Sequence, residues 1–163
     1  MNTGEEGGFK PGLRVGMPFL TNELDNERKA LTKYLNNNGY YKFHKDFITY
    51  SADSVRGSTD VGLTLHLHKY TANSKSPEEA HTRYKINDVT YYSNDERNYV
   101  PLRQSVLEEN TLIEPGEYFN SEALQKTYNR FSRLQIVKYT NIRFNELLTV
   151  ISLTVISVSA QIR

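Results

Sequence analysis

The sequence contains no cysteine among its 163 residues. This absence excludes disulfide bonds, thiolate nucleophiles and zinc sites with cysteine ligands, but a chain without cysteine folds in oxidising and reducing compartments alike. An excess of charge of one sign is missing too, because 20 Lys and Arg oppose 19 Asp and Glu for a net charge of +1. Since the two signs are interspersed, no basic field indicates a nucleic acid as a partner.

Long hydrophobic runs are also absent. The densest apolar run, residues 147–158, is well short of the roughly 20 residues that a membrane-spanning helix needs. Most of its apolar residues are β-branched, so it predicts a buried strand. Residues 1–15 are rich in Gly and Glu and have no apolar core of the length of a secretory signal. We therefore expect a chain that does not itself span a membrane, and that is either cytosolic or the mature region of a longer precursor.

The sequence also lacks the motifs of common enzymes. It has no Gly-rich phosphate loop, no His-Glu-x-x-His and no Gly-x-Ser-x-Gly. His66 and His68 lie two apart on a predicted strand and therefore share a face, but two histidines without a third ligand are weak evidence for a metal site. We therefore expect no enzyme, no cofactor and no bound metal, and a histidine-based metalloenzyme is the weakest alternative.

The sequence does contain one pattern that occurs twice, one hundred residues apart. Each copy has a glycine turn, an aromatic residue, a helical pattern and then a strand. The first turn is expected to deliver Phe19 into the core, and Phe119 is expected to form a hydrophobic staple with Leu124. Such a repeat indicates an array of similar modules, and arrays bind or scaffold more often than they catalyse. The aligned positions are Gly16, Phe19, Leu24, Leu31 and Tyr34 in one copy, and Gly116, Phe119, Leu124, Phe131 and Leu134 in the other.

The first module is expected to contain a helix followed by two strands. The helix begins near Thr21 or Asn22, both of which can cap it, and ends where the three asparagines of residues 36–38 are followed by Gly39. Residues 40–50, a run of aromatic residues and lysines, predict a strand, and residues 51–60 predict a polar turn. Residues 61–67 alternate between aliphatic and other side chains, which predicts a strand with one buried face.

The second module is expected to have the order strand, helix, helix, strand, strand. Its opening strand, within residues 84–92, changes the parity of its apolar positions at Asn87 and Asp88, which predicts a bulge. The other predicted elements are a helix within residues 101–109, a helix capped by Asn120, and strands over residues 136–144 and 147–159. The predicted domain limits are a partial module over residues 12–70, a polar linker over 71–80 and a complete module over 81–159.

This arrangement resembles the POTRA (polypeptide-transport-associated) domain. The resemblance rests on the β-α-α-β-β order, the glycine and aromatic residue before the second helix, the Gly-Tyr-Tyr entry at residues 39–41 and the alternating third strand. POTRA domains occur as tandem repeats in BamA-like and TamA-like outer-membrane assembly proteins. The resemblance implies an α+β fold of two tandem modules, each with a three-stranded mixed sheet and two helices on one face. The first module would be incomplete at its N-terminus.

The resemblance also implies a function and a site. The chain would be a non-enzymatic scaffold in the periplasm, at the outer membrane, that binds unfolded outer-membrane proteins or accessory lipoproteins next to a covalently linked C-terminal β-barrel. In this family the second strand lies at the sheet edge, here residues 42–50 and 138–144, where an extended segment of a partner can pair with it. The expected partner-binding positions are Lys42, Phe43, Lys45, Phe47, Thr49, Lys138, Thr140 and Ile142. The three lysines would contact acidic clients or prevent the edges from pairing with each other.

One alternative comes from another class of protein. A soluble adaptor of two domains would bind a folded partner through an exposed aromatic surface formed by Tyr40, Tyr41, Tyr91 and Tyr92. The adaptor should respond to Tyr41→Ala or Tyr91→Ala. The scaffold should instead be impaired by prolines at Thr49 or Asn141, because proline breaks edge pairing.

Overall fold

A computed structural model describes most of the chain, and it shows an α+β fold. The described residues are 8–54, 56–92, 100, 102–134, 137, 140–147 and 150–156, of which 147 and 150–156 are described by their backbone. The chain forms two compact units, Met1–Leu35 with Lys42–His81, and Asn36–Tyr41 with Thr82–Arg163. The domain limits that the sequence predicts, and the idea that the two units are copies of one module, stay predictions.

The first unit contains one long helix and a two-stranded sheet. Helix α1 (Thr21–Asn37) is followed by a 3-10 turn (Lys45–Phe47), strand β1 (Ile48–Ser54) and strand β2 (Val61–Leu67). The two strands pair in antiparallel fashion over their whole length. This confirms the predicted order of helix, strand, strand, and no helix or strand precedes α1 within the described residues 8–20.

The strand predicted over residues 40–50 begins only at Ile48, so the prediction was wrong for residues 40–47. A turn at residues 41–42 and the 3-10 turn at Lys45–Phe47 take the place of the first part of this strand. The ring nitrogen Nδ1 of His44 accepts a hydrogen bond from the backbone N–H of Asp46, and the guanidinium of Arg28 donates to the carbonyl of Lys45 at 3.0 Å. At the other end, β1 continues into the predicted polar turn, where the hydroxyl of Ser51 lies 2.8 Å from Nε2 of His66 on β2.

β2 alternates as predicted, but neither of its faces is buried. Its aliphatic side chains Val61, Leu63, Leu65 and Leu67 are 39%, 38%, 43% and 56% exposed. The predicted buried face was therefore wrong. Alternation determines which side chains share a face of a sheet, whereas burial requires a second layer that covers that face.

The second unit contains strand β3 (Lys85–Tyr92), helices α2 (Gln104–Asn110) and α3 (Ser121–Arg133), and strands β4 (Asn141–Leu147) and β5 (Val150–Ile156). The sheet order is β3-β5-β4, with β3 parallel and β4 antiparallel to the central β5. This is the predicted β-α-α-β-β order with a three-stranded mixed sheet. The predicted bulge is confirmed as a register shift between Ile86 and Val89.

The core of the second unit lies between its sheet and α3. One cluster of buried side chains joins residues from both sides of this layer, and α3 contributes Leu124 and Tyr128 to it. A smaller cluster pairs Leu107 of α2 with Phe131 of α3. The buried members of the larger cluster are Tyr84, Ile86, Ile113, Phe119 and Ile142.

Residues 36–41 are a structural part of this second unit. The ring of Tyr41 lies 5.1 Å from the rings of both Phe119 and Phe144. Oδ1 of Asn120 caps α3 as predicted, accepting the backbone N–H groups of residues 122 and 123 at 2.9 and 3.0 Å. Oδ1 of Asn37 lies at the same helix end. It accepts hydrogen bonds from the hydroxyl of Ser121 and from the backbone N–H of Glu122. The start of α3 is therefore held by asparagines from two parts of the sequence.

The repeated glycine turn is present in both units. Gly16 and Gly116 have φ angles of 86° and 88°. Phe119 is 4% exposed, but Phe19 is 48% exposed, so the expectation that Phe19 enters the core was wrong. In the second unit the turn is attached to β3, because the backbone N–H of Gly116 donates to the carbonyl of Ile86 at 2.7 Å. The described part of the first unit has no opening strand to which its turn could be attached.

The predicted linker, residues 71–80, forms a loop in the first unit. Tyr70 and Glu79 make an isolated antiparallel bridge with two backbone hydrogen bonds of 2.9 Å that close the loop.

Across the described ranges, none of the helices combines the length and the hydrophobicity that crossing a membrane requires.

Candidate functional site

The candidate binding sites are the outer edges of two strands. Among the described strands, β1 pairs only with β2, and β4 pairs only with β5. Each therefore presents a row of backbone N–H and C=O groups that no described strand pairs with. These are the strands that the sequence placed at a sheet edge, but they run over residues 48–54 and 141–147.

Seven of the eight predicted site residues are described, and they lie in four different settings. Thr49 is exposed on β1, and Ile142 is buried on β4. Thr140 directly precedes β4. Lys138 lies outside the described residues. The remaining four precede β1, in the turn and the 3-10 segment: Lys42, Phe43, Lys45 and Phe47.

Those four residues make contacts within the first unit. Phe43 is buried, and its ring lies 5.8 Å from the ring of Phe47 and 4.8 Å from that of His81. Nζ of Lys45 is 3.5 Å from Oδ1 of Asp25. Nζ of Lys42 lies 5.2 Å from the ring centre of Tyr70, a cation–π distance. These contacts position the start of β1, and a role of the four residues in binding partners stays a prediction.

The hydrogen-bonding pattern of the β1–β2 ladder shows which main-chain groups of β1 face outward. The backbone N–H of His68 donates to the carbonyl of Phe47 at 2.8 Å, so these two residues form a hydrogen-bonded pair. Such pairs alternate with non-hydrogen-bonded pairs along an antiparallel ladder. The N–H and C=O of Thr49 therefore point toward β2, and those of Tyr50 and Ala52 point to the outer edge.

The side chain of Tyr50 on this strand is partly buried. Burial raises the pKa of Tyr50 above 10.0, and the nearby charge of Glu27 raises it further. The hydroxyl of Tyr50 is buried and has no hydrogen-bond partner in the described part of the chain. Glu27 is itself buried, and its carboxylate accepts the backbone N–H of Gly12 at 2.8 Å. Ala52, two residues further along β1, is exposed.

The outer edge of β4 is partly occupied. The backbone N–H of Ile142 donates to the hydroxyl of Tyr128 at 2.9 Å, and the same hydroxyl lies 3.5 Å from the carbonyl oxygen of Ile142. Both main-chain groups of Ile142 therefore face away from β5, and the α3 side chain fills the place of a paired strand at this residue. By the alternation of the ladder, Phe144 is the next residue whose main chain faces outward.

The two strand histidines share a face, as expected. Nε2 of His66 is 2.8 Å from the hydroxyl of Ser51, and Nε2 of His68 is 2.7 Å from that of Thr49. No group of three metal-binding side chains occurs in the ranges that the structure describes. This exposed face is therefore a ladder of hydroxyl and imidazole pairs.

The tyrosines of the adaptor alternative do not form one exposed surface. Tyr41 packs among core rings of the second unit. Tyr91 is half-buried, burial raises its pKa, and its hydroxyl donates to that of Thr111 at 2.9 Å. The expected exposure was therefore wrong for these two residues. Tyr40 is half-buried, and Tyr92 is 46% exposed.

Comparison with known proteins identifies the fold of this chain. The sequence matches no protein-family model and no curated protein. The structure is similar to BamA from Haemophilus ducreyi lacking POTRA domains 1-3, with a TM-score of 0.68, 12% identity, and coverage of 92% of this chain and 25% of that one. It is also similar to POTRA3-5 of Haemophilus influenzae BamA, with a TM-score of 0.57, 14% identity, and coverage of 89% and 51%. The chain has a POTRA-like fold.

The POTRA-like fold agrees with the position of the two candidate edges. In the second unit the strand after the two helices, β4, lies at the rim of the sheet, and β1 follows helix α1 in the same way. The chain spans a quarter of the length of the first of these structures and half of the second. The sequence does not predict the contact of Tyr128 with β4, because no local pattern indicates where a hydroxyl 14 residues away points.

Proposed function

We propose that the chain is a non-enzymatic scaffold of an outer-membrane protein assembly factor. In this proposal it works in the periplasm and binds unfolded outer-membrane proteins, or accessory lipoproteins, by adding an extended segment of the partner to a strand edge. The observation that carries the proposal is the POTRA-like fold in which β1 and β4 each pair with a single one of the described strands. The similarity to BamA supports the assembly role.

Strand addition fits this role because its affinity comes from main-chain hydrogen bonds and demands little of the partner's sequence. A scaffold that accepts many unfolded clients needs such tolerance. In β1, the outward groups of Tyr50 and Ala52 supply donors and acceptors at alternate residues, which is the spacing of an added antiparallel or parallel strand. At Ala52 the small exposed side chain leaves room for the incoming chain.

The two edges are unequal. The hydroxyl of Tyr128 is hydrogen-bonded to the main chain of Ile142. A client that adds to β4 must therefore displace this hydroxyl or begin its pairing at Phe144. β1 carries no such side-chain bond at Ala52 among the described residues. We therefore place the primary capture site on β1 and a secondary one on β4.

The experiment is an NMR titration of the isotope-labelled chain with an extended peptide that ends in an aromatic residue. The peptide should shift the backbone amides of residues 48–54 first and those of residues 140–147 at higher concentration. Two N-methylated versions of the peptide provide the matched control. Methyl groups on the amides that face β1 should abolish the shifts, and methyl groups on the alternate amides should not, because the side chains are identical in both peptides.

A pair of protein variants tests the site from the other side. Ala52→Pro removes an outward N–H while the ladder to β2 is kept, whereas Ala52→Val keeps the N–H and adds a side chain of strand type. The proline variant should lose capture at β1, and the valine variant should retain it. Unchanged β2 amide shifts would verify that the sheet is intact. Equal peptide binding by both variants would contradict the proposal.

A further inference from the structure

The outer edge of β3 is paired over its first half and open over its second half in the described part of the chain. Residues 116–119 run antiparallel to the first half, where the backbone N–H of Ile86 donates to the carbonyl of Glu117 at 2.8 Å. Further along, no described strand lies opposite the outer side of residues 89–92. The paired part and the open part both belong to the second unit.

The bulge in β3 determines which main-chain groups face the open part. Outward and inward residues alternate along a strand, and Ile86 faces outward. Ile86 lies opposite residue 151 of β5 and Val89 lies opposite residue 153, so β3 has three steps where β5 has two. Because the bulge adds one residue, the next outward residues are Val89 and Tyr91. Their main-chain groups are spaced as an added strand requires.

A groove with a volume of about 780 Å³ follows this open part. It contacts all four residues from 89 to 92. Since successive side chains of a strand point to opposite faces, a groove that contacts four consecutive residues follows the edge of the strand and not one face of the sheet. Its other wall is formed by α2 and by residues 111 and 113–115. The volume lies in the range of roughly 300–1,000 Å³ that is typical of ligand pockets.

The groove combines apolar walls with negative charge. Leu107 and Ile113 line it, together with the exposed carboxylates of Glu108 and Glu114. No Lys, Arg or His is found among its described lining residues. Burial raises the pKa of Tyr91 above 10.0, and the charge of Glu108 raises it further, so this carboxylate acts on the strand edge. An occupant that is both aliphatic and positively charged therefore matches the groove.

We propose that this groove binds a short extended peptide segment that carries aliphatic and basic side chains. The segment would continue the line of residues 116–119 along β3 and pair with the main chain of Tyr91. The N–H of Val89 already donates to Oδ1 of Asp88 at 2.8 Å, so pairing would begin at the carbonyl of Val89. Lysine or arginine side chains would lie near the two glutamates. This site goes beyond the proposed capture at β1 and β4, because it lies on another strand and selects its partner by charge.

An NMR titration of the isotope-labelled full chain with two blocked pentapeptides tests the proposal. Val-Lys-Val-Lys-Val should shift the backbone amides of residues 89–92 and 113–114. Because the open part is only four residues long, we expect a dissociation constant of about 0.1–1 mM. Val-Glu-Val-Glu-Val is the matched control, since its valines are the same but its charges are repelled by the glutamates. It should leave these amides unshifted at the same concentrations.

Protein variants test the charges from the other side. Glu108→Gln and Glu114→Gln should each raise the dissociation constant of the lysine peptide about two- to fivefold, the effect of one exposed ion pair. Glu109→Gln is the matched control. It removes the same charge from an exposed position of α2, but residue 109 does not line the groove. This variant should bind the lysine peptide as the natural chain does.

A simple amine separates strand pairing from the attraction of charge alone. n-Butylamine has the positive charge and the aliphatic chain of a lysine side chain but no peptide main chain. It should bind at least about tenfold more weakly than the lysine peptide and leave the amides of residues 89–92 unshifted, because it cannot pair with β3.

Four results would overturn the proposal. The first is equal binding of the two pentapeptides, and the second is an equal effect of the control variant and the two groove variants. The third is binding of n-butylamine as tight as that of the lysine peptide, which would make the groove a site for cations only. The fourth is a set of amide shifts confined to residues 48–54 or 141–147. That last result would leave the proposed capture at β1 and β4 standing.

Discussion

The hydroxyl of Tyr128 on α3 accepts a hydrogen bond of 2.9 Å from the backbone N–H of Ile142 on β4. This one contact joins the core helix of the second unit to the outer edge of its sheet. It stabilises the sheet and at the same time occupies the position that an added strand would use. Stability and access for a partner are therefore opposed at this residue.

Removal of this hydroxyl should open the edge. We expect Tyr128→Phe to lower the free energy of unfolding by about 1 kcal/mol, the usual net value of one hydrogen bond. We also expect it to strengthen binding of an extended peptide to β4, because the main chain of Ile142 then has no side-chain partner to give up. Urea unfolding and NMR titration measure the two effects.

Tyr91→Phe is the matched control for this prediction. It also removes one tyrosine hydroxyl of the second unit, the one bonded to Thr111 at 2.9 Å, but it changes no contact of β4. It should cost similar stability and leave peptide binding at β4 unchanged. If both variants altered peptide binding equally, Tyr128 would not control access to the edge.

The two aromatic residues of the repeated pattern should differ in their contribution to stability. Phe119 is buried and its ring lies 5.4 Å from that of Phe144, so Phe119→Ala should cost about 3–5 kcal/mol. Phe19 occupies the same place in the first copy but is 48% exposed, so Phe19→Ala should cost less than about 1 kcal/mol. Denaturant unfolding measures both, and equal losses would show that the two turns are packed alike.

Gly39 should tolerate a side chain less well than Gly16. Both have positive φ, 100° and 86°, so alanine at either position should cost about 1–2 kcal/mol in the backbone. At Gly39 a Cβ atom would also lie 3.2 Å from the ring of Tyr118 and 3.3 Å from Nε of Arg83, whereas nothing lies within 4 Å at Gly16.

The neighbours of Gly39 contact each other and the backbone of residue 38. The guanidinium of Arg83 stacks 3.7 Å from the ring centre of Tyr118, and its Nε donates to the carbonyl of Asn38 at 2.7 Å. Gly39→Ala should therefore lower the melting temperature by more than Gly16→Ala does. Calorimetry provides the comparison, and an equal or smaller effect at Gly39 would mean that this stack adjusts without cost.

Low pH should lower the stability of the first unit, because it protonates the carboxylate of Asp25. The hydrogen bond from Lys29, at 2.6 Å, lowers the pKa of Asp25 below 3.8, and the charge of Lys45 contributes. Because the folded pKa is the lower one, the contribution to stability is present at neutral pH and is lost as the pH falls through that pKa. Asp25→Asn should therefore lower stability at pH 7 and flatten its decline in acid.

Urea unfolding at a series of pH values tests this prediction. Asp60→Asn is a suitable control, because Asp60 is exposed and its carboxylate forms none of the ion pairs found in the described residues. The difference between wild type and Asp25→Asn should vanish at low pH. A difference that stayed constant with pH would assign the effect to packing instead of charge.

Local signals in the sequence were sufficient for much of the second unit. The parity change at Asn87 and Asp88 predicted the bulge, and Asn120 predicted the cap of α3, because each depends on neighbours within a few residues. The apolar periodicity also gave the order of elements. These features need no knowledge of distant contacts.

The sequence-based predictions were wrong where contacts between residues far apart in the sequence determine the structure. Phe43 and Phe47 have the composition of a strand, but they pack around His81, which lies far along the chain. The alternation of β2 was correct, yet whether that face is covered depends on a second layer that its own sequence does not specify. The bond between Tyr128 and Ile142 likewise requires α3 and β4 to be packed first.

The position of residues 36–41 in the sequence limits how the second unit can be separated from the first, in evolution or by proteolysis. They precede β1 along the chain, yet they belong to the second unit, to which they contribute Tyr41 and Asn37. A gene segment that encodes only residues 82–163 would lack these side chains. Recombination, duplication or proteolytic dissection of the second unit must therefore carry with it a short sequence that lies inside the first.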